Sequence, residues 1–353
     1  MNIHSIQAWQ EKFPLTKPYT IAYKTIADTE LIFIEIVLEN GITGLGAANP
    51  FPEVVGETAA TTIANLQSGI IQSFKGRDIQ MFQQLIAEVA TAYPDHPGTL
   101  AAIDIALHDA FGKFIGIPIL EYYEKKTGPL LTSITIGIKD TNEMIEEAKG
   151  YYAAGFRILK IKTGHDVEED IERVQKIKEA FNDKFIIRVD ANQGYDMATL
   201  QQFMQATKHT VELIEQPLKR GDEKILQSLT TGKKILVADE SLINVTDAYA
   251  LSHPPLSFGV YNIKLMKCGG IKAAKEIATI AQQAGIDLFW GCNDESIISI
   301  TAALHAAYSC SNTKYLDLDG SFDLSKDIVQ GGFILKDGYM HTTGLPGLGY
   351  SKI

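Results

Sequence analysis

Ile158-Leu159-Lys160-Ile161-Lys162-Thr163-Gly164 is the stretch on which the reading of this chain turns. In a β-strand alternate side chains share a face, so Lys160 and Lys162 stand together while Leu159 and Ile161 take the other side. Burying two ammonium groups side by side costs free energy through desolvation and mutual repulsion. Both effects are expected to depress a lysine pKa towards the range of a base usable at neutral pH. An isolated Lys-x-Lys is more often a solvated edge strand. The sequence on either side argues otherwise.

From about Thr132 the chain repeats a short apolar strand, a turn and an amphipathic helix. Strands are expected at Ser133–Ile138, Ile158–Lys162, Phe185–Asp190, Val211–Glu215, Ile235–Asp239, Val260–Lys264, Ile286–Gly291 and Tyr315–Asp319. Helical patterns such as Val167–Ala180 and Ile271–Ala284 fill the gaps. Alternating strands and helices imply a parallel sheet, and eight strands suit a closed barrel. The doubly wound alternative lacks its Gly-x-Gly-x-x-Gly turn after the first strand.

Before the repeats, Ile3–Phe13 reads as a strand interrupted by Pro14–Pro18, and Leu31–Leu38 and Ile42–Gly44 form a hairpin across Asn40-Gly41. Helices are expected at Glu57–Phe74, Asp78–Tyr93 and Thr99–Ile115. The last of these sets Asp104 and His108 one turn apart, which reads as a capping or solvated pair rather than a metal site. Gly331–Ile353 is turn-rich and is expected to fold back onto the N-terminal part.

Polar residues gather at the C-terminal ends of the repeated strands, where such barrels carry their chemistry. They include Lys160 and Lys162, Asp190, Glu215, Asp239-Glu240, Lys264, Cys292-Asn293-Asp294-Glu295, and Asp317 with Asp319. A single carboxylate there is commonly a helix N-cap. Carboxylates on three consecutive strands repel unless a cation lies between them, and an all-oxygen set favours Mg²⁺. Strands two and six lie opposite each other in an eight-membered ring, so Lys162 and Lys264 face one another across the mouth. A carbon between them can lose a proton to one lysine and regain it from the other, which inverts a stereocentre.

A chain of 353 residues suggests two domains, and 45% hydrophobic against 21% charged residues is ordinary for a packed protein. A net charge of −11 argues against nucleic acid or an anionic membrane as partner. No stretch resembles a signal core or a membrane span, and Cys268, Cys292 and Cys310 lack paired spacing. A cytoplasmic protein with free thiols is the expectation.

These motifs together resemble the muconate lactonizing enzyme subgroup of the enolase superfamily, and within it the dipeptide epimerases related to L-Ala-D/L-Glu epimerase. The resemblance spans nearly the whole chain and rests on Ile158–Gly164, Val189–Gly194, Ile214–Pro217, Ala238–Ser241, Asn262–Gly270 and Asp317–Gly320. It implies an α/β fold, a (β/α)7β TIM-like barrel over residues 126–324, with an α+β N-terminal capping domain over 1–125 completed by about 325–353. It implies one Mg²⁺ per subunit, with Mn²⁺ as a substitute, on Asp190, Glu215 and Asp239. Strand alternation alone does not choose between Asp239 and Glu240. Lys162 and Lys264 become the two bases, and Lys160 helps hold the substrate carboxylate and its enolate. Loops near Tyr19–Thr25 and Pro50–Glu57 close over a small dipeptide substrate, and a homo-oligomer is expected.

Asp317 and Asp319 suit a free substrate ammonium, which o-succinylbenzoate synthase, N-acylamino acid racemase and muconate cycloisomerase do not need. A catalytically silent barrel would have lost a lysine or a ligand, and here every position is filled. For substrate choice, Lys24 stands where L-Ala-D/L-Glu epimerases carry a basic residue. L-Ala-D/L-Glu and cell-wall peptide recycling are therefore expected first. Glu53 and Asp294, the latter a departure from the usual apolar or neutral residue, favour cationic dipeptides as the second choice, and hydrophobic dipeptides stand as a further alternative. Cys292 is counted with them at the substrate.

Overall fold

The computed structural model describes residues 1–22, 24–229 and 232–353. Tyr23, inside the expected first capping loop, lies outside the described residues. Strands β1 (Ile3–Ile21), β2 (Lys24–Leu38) and β3 (Thr43–Ala48) form an antiparallel sheet. Asn40-Gly41 makes the turn as expected, with Gly41 at a φ of 85°. Pro14 and Pro18 do not end β1. They lack the N–H that a ladder needs, so the pairing slips instead: Pro14 faces Asp28 and Tyr19 faces Ile26, setting five steps of β1 against two of β2.

The helices that follow are α1 (Pro52–Val55), α2 (Ala59–Leu66), α3 (Gly69–Gln72), α4 (Phe82–Ala92), α5 (Pro97–Ile115) and α6 (Ile119–Tyr122). The single helix expected at Glu57–Phe74 is two pieces, because Thr58 and Ser68 each sit in extended backbone at an N-cap. Glu57 lies before them, buried, and accepts from the backbone N–H groups of Gly98 (2.6 Å) and Thr99 (3.0 Å). That bond caps α5 and ties down the end of the second capping loop.

The second half alternates as β4 (Leu130–Leu131), β5 (Ile134–Ile136), α7 (Thr141–Ala153), β6 (Ile158–Lys162), α8 (Val167–Phe181), β7 (Ile186–Asp190), α9 (Met197–Ala206) and β8 (Val211–Glu215). It continues with β9 (Leu236–Ala238), α10 (Val245–Leu251), β10 (Val260–Ile263), α11 (Leu265–Cys268), α12 (Ile271–Gln283), β11 (Asp287–Trp290), α13 (Ile297–Tyr308) and β12 (Thr313–Leu316). Strands β5 to β12 are parallel neighbours in chain order, and a bridge between Thr132 and Leu316 brings the two edges together. This is the TIM-like barrel that the strand spacing implied, capped as the family resemblance implied. Several strands are shorter than expected, and Asp239, Lys264, Asp317 and Asp319 stand just beyond strand ends.

Inside the barrel, Leu213, Val237, Val260 and Phe289 fill the floor with Tyr315 beside them. Arg188 lies over Phe289 and Tyr315, donating to Glu212 (2.7 Å) and to the Leu316 carbonyl (2.8 Å). The floor is therefore closed, and chemistry is confined to the other end.

Strands β13 (Val329–Gly331) and β16 (Tyr350–Lys352) pair, while β14 (Phe333–Lys336) and β15 (Tyr339–Thr342) add to β4. Tyr350 Oη donates to Asp109 (2.7 Å) and lies 2.8 Å from the Leu45 carbonyl oxygen, so this segment reaches the N-terminal sheet. Asp104 and His108 are wholly buried rather than solvated. Asp104 accepts from Ile271 N (2.7 Å) and so caps α12 across the joint between the two halves. Among the described residues no helix is long and apolar enough to cross a membrane.

Candidate active site

Strand β6 sets Lys160 level with Arg188 and Lys162 level with Asp190 on β7, and Asp190 level with Glu215 on β8. Parallel pairing thus stacks the polar residues in layers above the floor. Two glycines let the following loops close up: Gly164 has a φ of 104°, and a Cβ there would stand 2.3 Å from the Ala191 carbonyl oxygen. A Cβ on Gly194 would stand 2.2 Å from the Gly164 carbonyl oxygen. The loops that carry Lys162 and Asp190 therefore touch backbone to backbone.

Asp190, Glu215 and Asp239 offer carboxylate oxygens within 4.8 Å of one another, all buried. Glu215 Oε1 accepts from Asn262 Nδ2 (2.6 Å); Oε2 lies 2.8 Å from Lys160 Nζ without the alignment of a hydrogen bond. An unspent lone pair in an all-oxygen set fits a hard divalent cation. Glu240 is also buried at the cavity wall, but it faces Asn192 (3.3 Å) and does not join the cluster, so Asp239 is the third member.

The lysines are held by these acids. Lys160 contacts Asp317 (2.8 Å), Glu215 (2.8 Å) and Asp190 (3.2 Å); Lys162 contacts Asp190 (2.7 Å) and Lys264 contacts Asp239 (2.9 Å). Burial pushes the Lys160 ammonium down, but Asp317, Glu215 and Asp190 outweigh it and hold the group well above the ordinary lysine value. Lys264 behaves likewise through Asp239 and Glu215. For Lys160 the expected depression by burial does not occur in the protein alone, because opposite charges within about 4 Å outweigh desolvation. Burial and the neighbouring Asp190 together raise Glu215, whereas Asp190 itself is lowered despite its burial, by Lys162 and Lys160.

Strands β6 and β10 are four places apart in the ring, so Lys162 and Lys264 do face each other, with the acidic cluster on the arc between. Both line a cavity of about 930 Å³ that runs from the barrel mouth to the N-terminal sheet and takes in Lys24, Asp294, Asp317, Asp319 and Cys292. Asp317 is already committed to Lys160 and to Ser133 Oγ (2.6 Å). Asp319 accepts from Thr135 N (2.8 Å) through one oxygen, leaving the other near Cys292 Sγ at 3.8 Å. Of the two strand-eight acids, Asp319 has the freer charge. Cys292 donates to the Asp317 carbonyl (3.2 Å), which spends its thiol within the wall.

Residues 143–351 match the family described as enolase C-terminal domain-like, and residues 4–122 match the mandelate racemase/muconate lactonizing enzyme N-terminal domain. The L-Lys-D/L-Arg epimerase of Desulforapulum autotrophicum is 49% identical over 354 residues, covering 100% of both chains. The chain belongs to the dipeptide epimerases of the enolase superfamily. A crystal structure of the Methylococcus capsulatus dipeptide epimerase with Mg and L-Arg-D-Lys superposes with a TM-score of 0.97 at 45% identity, covering 99% of each chain. The L-Ala-D/L-Glu epimerase of Bacillus subtilis is more distant, 29% identical over 354 residues and covering 99% and 96% of the two chains.

In this Mg-dependent epimerase the charged residues on which the substrate expectations rested are held in different ways. Lys24 lines the cavity, but its ammonium lies 2.9 Å from Glu53 Oε1, with both side chains more than 40% exposed. A cation already neutralised and solvated has little left for a substrate carboxylate. Glu53 is spent by the same contact and does not line the cavity. Asp294 is different: it is buried, makes no ion pair among the described residues, and accepts only from Tyr19 Oη at 3.1 and 3.2 Å. Its carboxyl is pushed up to about 6, by burial first, against an opposing pull from Tyr19.

No sequence motif marks Asp323, which lines the same cavity and is raised by burial and by Asp319 and Asp294. None marks Lys267 either, which is buried against Asp239 Oδ1 and the Asp239 carbonyl (2.6 Å). A lysine three residues after Lys264, one turn along a short helix, was the available signal for the second of these.

Proposed function

We propose that the enzyme inverts the α-carbon of the C-terminal residue of dipeptides whose side chain at that residue is cationic, Lys or Arg. The observation that carries this reading is the contrast at the cavity wall: Lys24 is matched by Glu53, while Asp294 is buried without a cation. The L-Lys-D/L-Arg epimerases of Desulforapulum autotrophicum and Methylococcus capsulatus, 49% and 46% identical to this chain, agree with it.

Lys162 removes the α-proton from one face and Lys264 delivers a proton to the other, with the roles exchanged for the reverse direction. Mg²⁺ held by Asp190, Glu215 and Asp239 would neutralise the charge that develops on the substrate carboxylate and relieve the hold of those acids on the lysines. Lys160, between Asp317 and the acidic cluster, adds a fixed positive charge at the same carboxylate. Asp319 meets the substrate ammonium on the far side. The closed floor and the N-terminal sheet keep bulk water from the exposed carbanionic centre.

The test is a panel of L-Ala-L-Xaa and L-Lys-L-Xaa dipeptides incubated in D₂O with Mg²⁺ and read by mass spectrometry. Dipeptides ending in Arg or Lys should incorporate α-deuterium fastest, about tenfold or more ahead of L-Ala-L-Glu, as one desolvated ion pair allows. L-Ala-L-Glu in first place would overturn the substrate reading and leave the epimerase chemistry standing.

A further inference from the structure

We infer that Tyr19 is a positioning residue for substrate choice: its hydroxyl, brought in from the N-terminal sheet, orients the Asp294 carboxylate towards the cationic side chain of the substrate. This rests on the reading of Asp294 given above.

The slipped ladder is what delivers Tyr19. Between the Pro14–Asp28 and Tyr19–Ile26 pairs the extra residues of β1 arch away from β2, and Thr16 to Tyr19 line the cavity. The arch is pinned to the barrel on both sides. Thr16 N donates to the Asp323 carbonyl (2.7 Å), and Ser325 N donates to the Pro14 carbonyl (3.1 Å). On the other side Ile138 N donates to the Thr20 carbonyl (2.9 Å). Gly137 makes that approach possible, since a Cβ there would stand 3.0 Å from Thr20 N, Thr20 O and Tyr19 Cβ.

Asp294 is gripped from the same side through its backbone. Asn49, just past β3, donates from Nδ2 to the Asp294 carbonyl (2.6 Å), and Asn293 Nδ2 donates to the Asn49 carbonyl (2.9 Å). Both the main chain and the side chain of Asp294 are therefore held by residues from outside the barrel. Tyr19 Oη is nearly equidistant from the two carboxylate oxygens, at 3.2 and 3.1 Å. A phenol has one proton to give, so it fixes the plane of the carboxylate while leaving acceptor capacity on both oxygens. Burial and then the Asp294 charge hold the phenol well above its ordinary pKa, so it remains a donor. A carboxylate fixed before binding spares the cost of ordering it when the cation arrives.

Steady-state kinetics of the Mg²⁺-loaded enzyme on L-Ala-L-Lys and on L-Ala-L-Met, a neutral dipeptide of similar length, test this. Tyr19→Phe keeps the ring and removes only the hydroxyl. KM for L-Ala-L-Lys should rise about tenfold with kcat within about twofold, while kcat/KM for L-Ala-L-Met shifts by about twofold at most. Adding Tyr19→Phe to Asp294→Asn should cost nothing further, because the two act as one unit. Equal losses on both dipeptides, no loss on either, or additive losses would each overturn the inference. The L-Ala-L-Met rate and a melting curve report whether the variants fold. A wild-type enzyme that does not prefer L-Ala-L-Lys to L-Ala-L-Met removes the substrate reading itself, and with it the ground for this one.

Discussion

Two lysine–carboxylate contacts in the same cavity are built in opposite ways. Lys160 is about 3% exposed and meets three carboxylates at 2.8 to 3.2 Å from three different strands. Lys24 is 43% exposed and meets one carboxylate, Glu53, across a loop. The first has no room to move, because Asp190 and Glu215 are fixed in parallel strands, Asp317 is held just past β12 by Ser133, and all three are stripped of water. The second is a solvated pair of two long side chains, whose attraction is largely spent against water and side-chain entropy. Chemistry is thus placed where geometry is rigid, and the exposed rim contributes little charge selectivity despite its charged residues.

The largest effect should come from the rigid side. Lys162→Ala or Lys264→Ala should lower epimerisation by about a thousandfold or more, as loss of a positioned base does. Each variant should still exchange the α-proton of one stereoisomer in D₂O, which mass spectrometry of separated isomers reads. Near wild-type epimerisation by either variant would break the two-base assignment. Next comes the acidic cluster. Asp190→Asn should abolish Mg²⁺ binding measured by calorimetry and reduce turnover by about a hundredfold or more, because a neutral amide replaces a hard anionic ligand.

Smaller effects should mark the buried cavity wall, and the smallest the exposed rim. Asp294→Asn should lower kcat/KM for dipeptides ending in Lys by about ten- to thirtyfold and leave neutral dipeptides within about threefold. Smallest of all, Glu53→Gln frees the Lys24 ammonium. It should raise kcat/KM for L-Ala-L-Glu by about two- to threefold, in line with the worth of an exposed pair. A gain of about a hundredfold would show that Lys24 is a stronger determinant than its exposure allows.

What was legible in the chain follows the same division. Lys-x-Lys on one strand and single acids at the ends of the next three can be placed without coordinates, since a parallel ring keeps strand order and side-chain alternation does the rest. Which lone pairs are free cannot be read that way. Asp317 and Asp319 are alike in sequence, yet only the first is committed to Lys160 and Ser133. Lys24 and Glu53 stand 29 residues apart and appear as independent charges until the two loops meet. The prolines of β1 read as a break because their missing donors are visible, whereas the ability of β2 to resume pairing beyond them is a property of the folded sheet.

Asp109 carries a consequence for how the molecule comes to be assembled. Its buried carboxylate accepts from Leu45 N and Lys113 close by, but also from Leu348 N and Tyr350 Oη, which lie 239 and 241 positions further along the chain. On a ribosome, synthesis of the whole barrel separates those partners from Asp109, a delay of tens of seconds at about 5–20 residues per second. Until then a carboxylate in the middle of α5 has half its native donors. The N-terminal sheet and helices therefore complete their packing after the barrel has emerged, and exchanging that half between relatives requires transplanting both segments together.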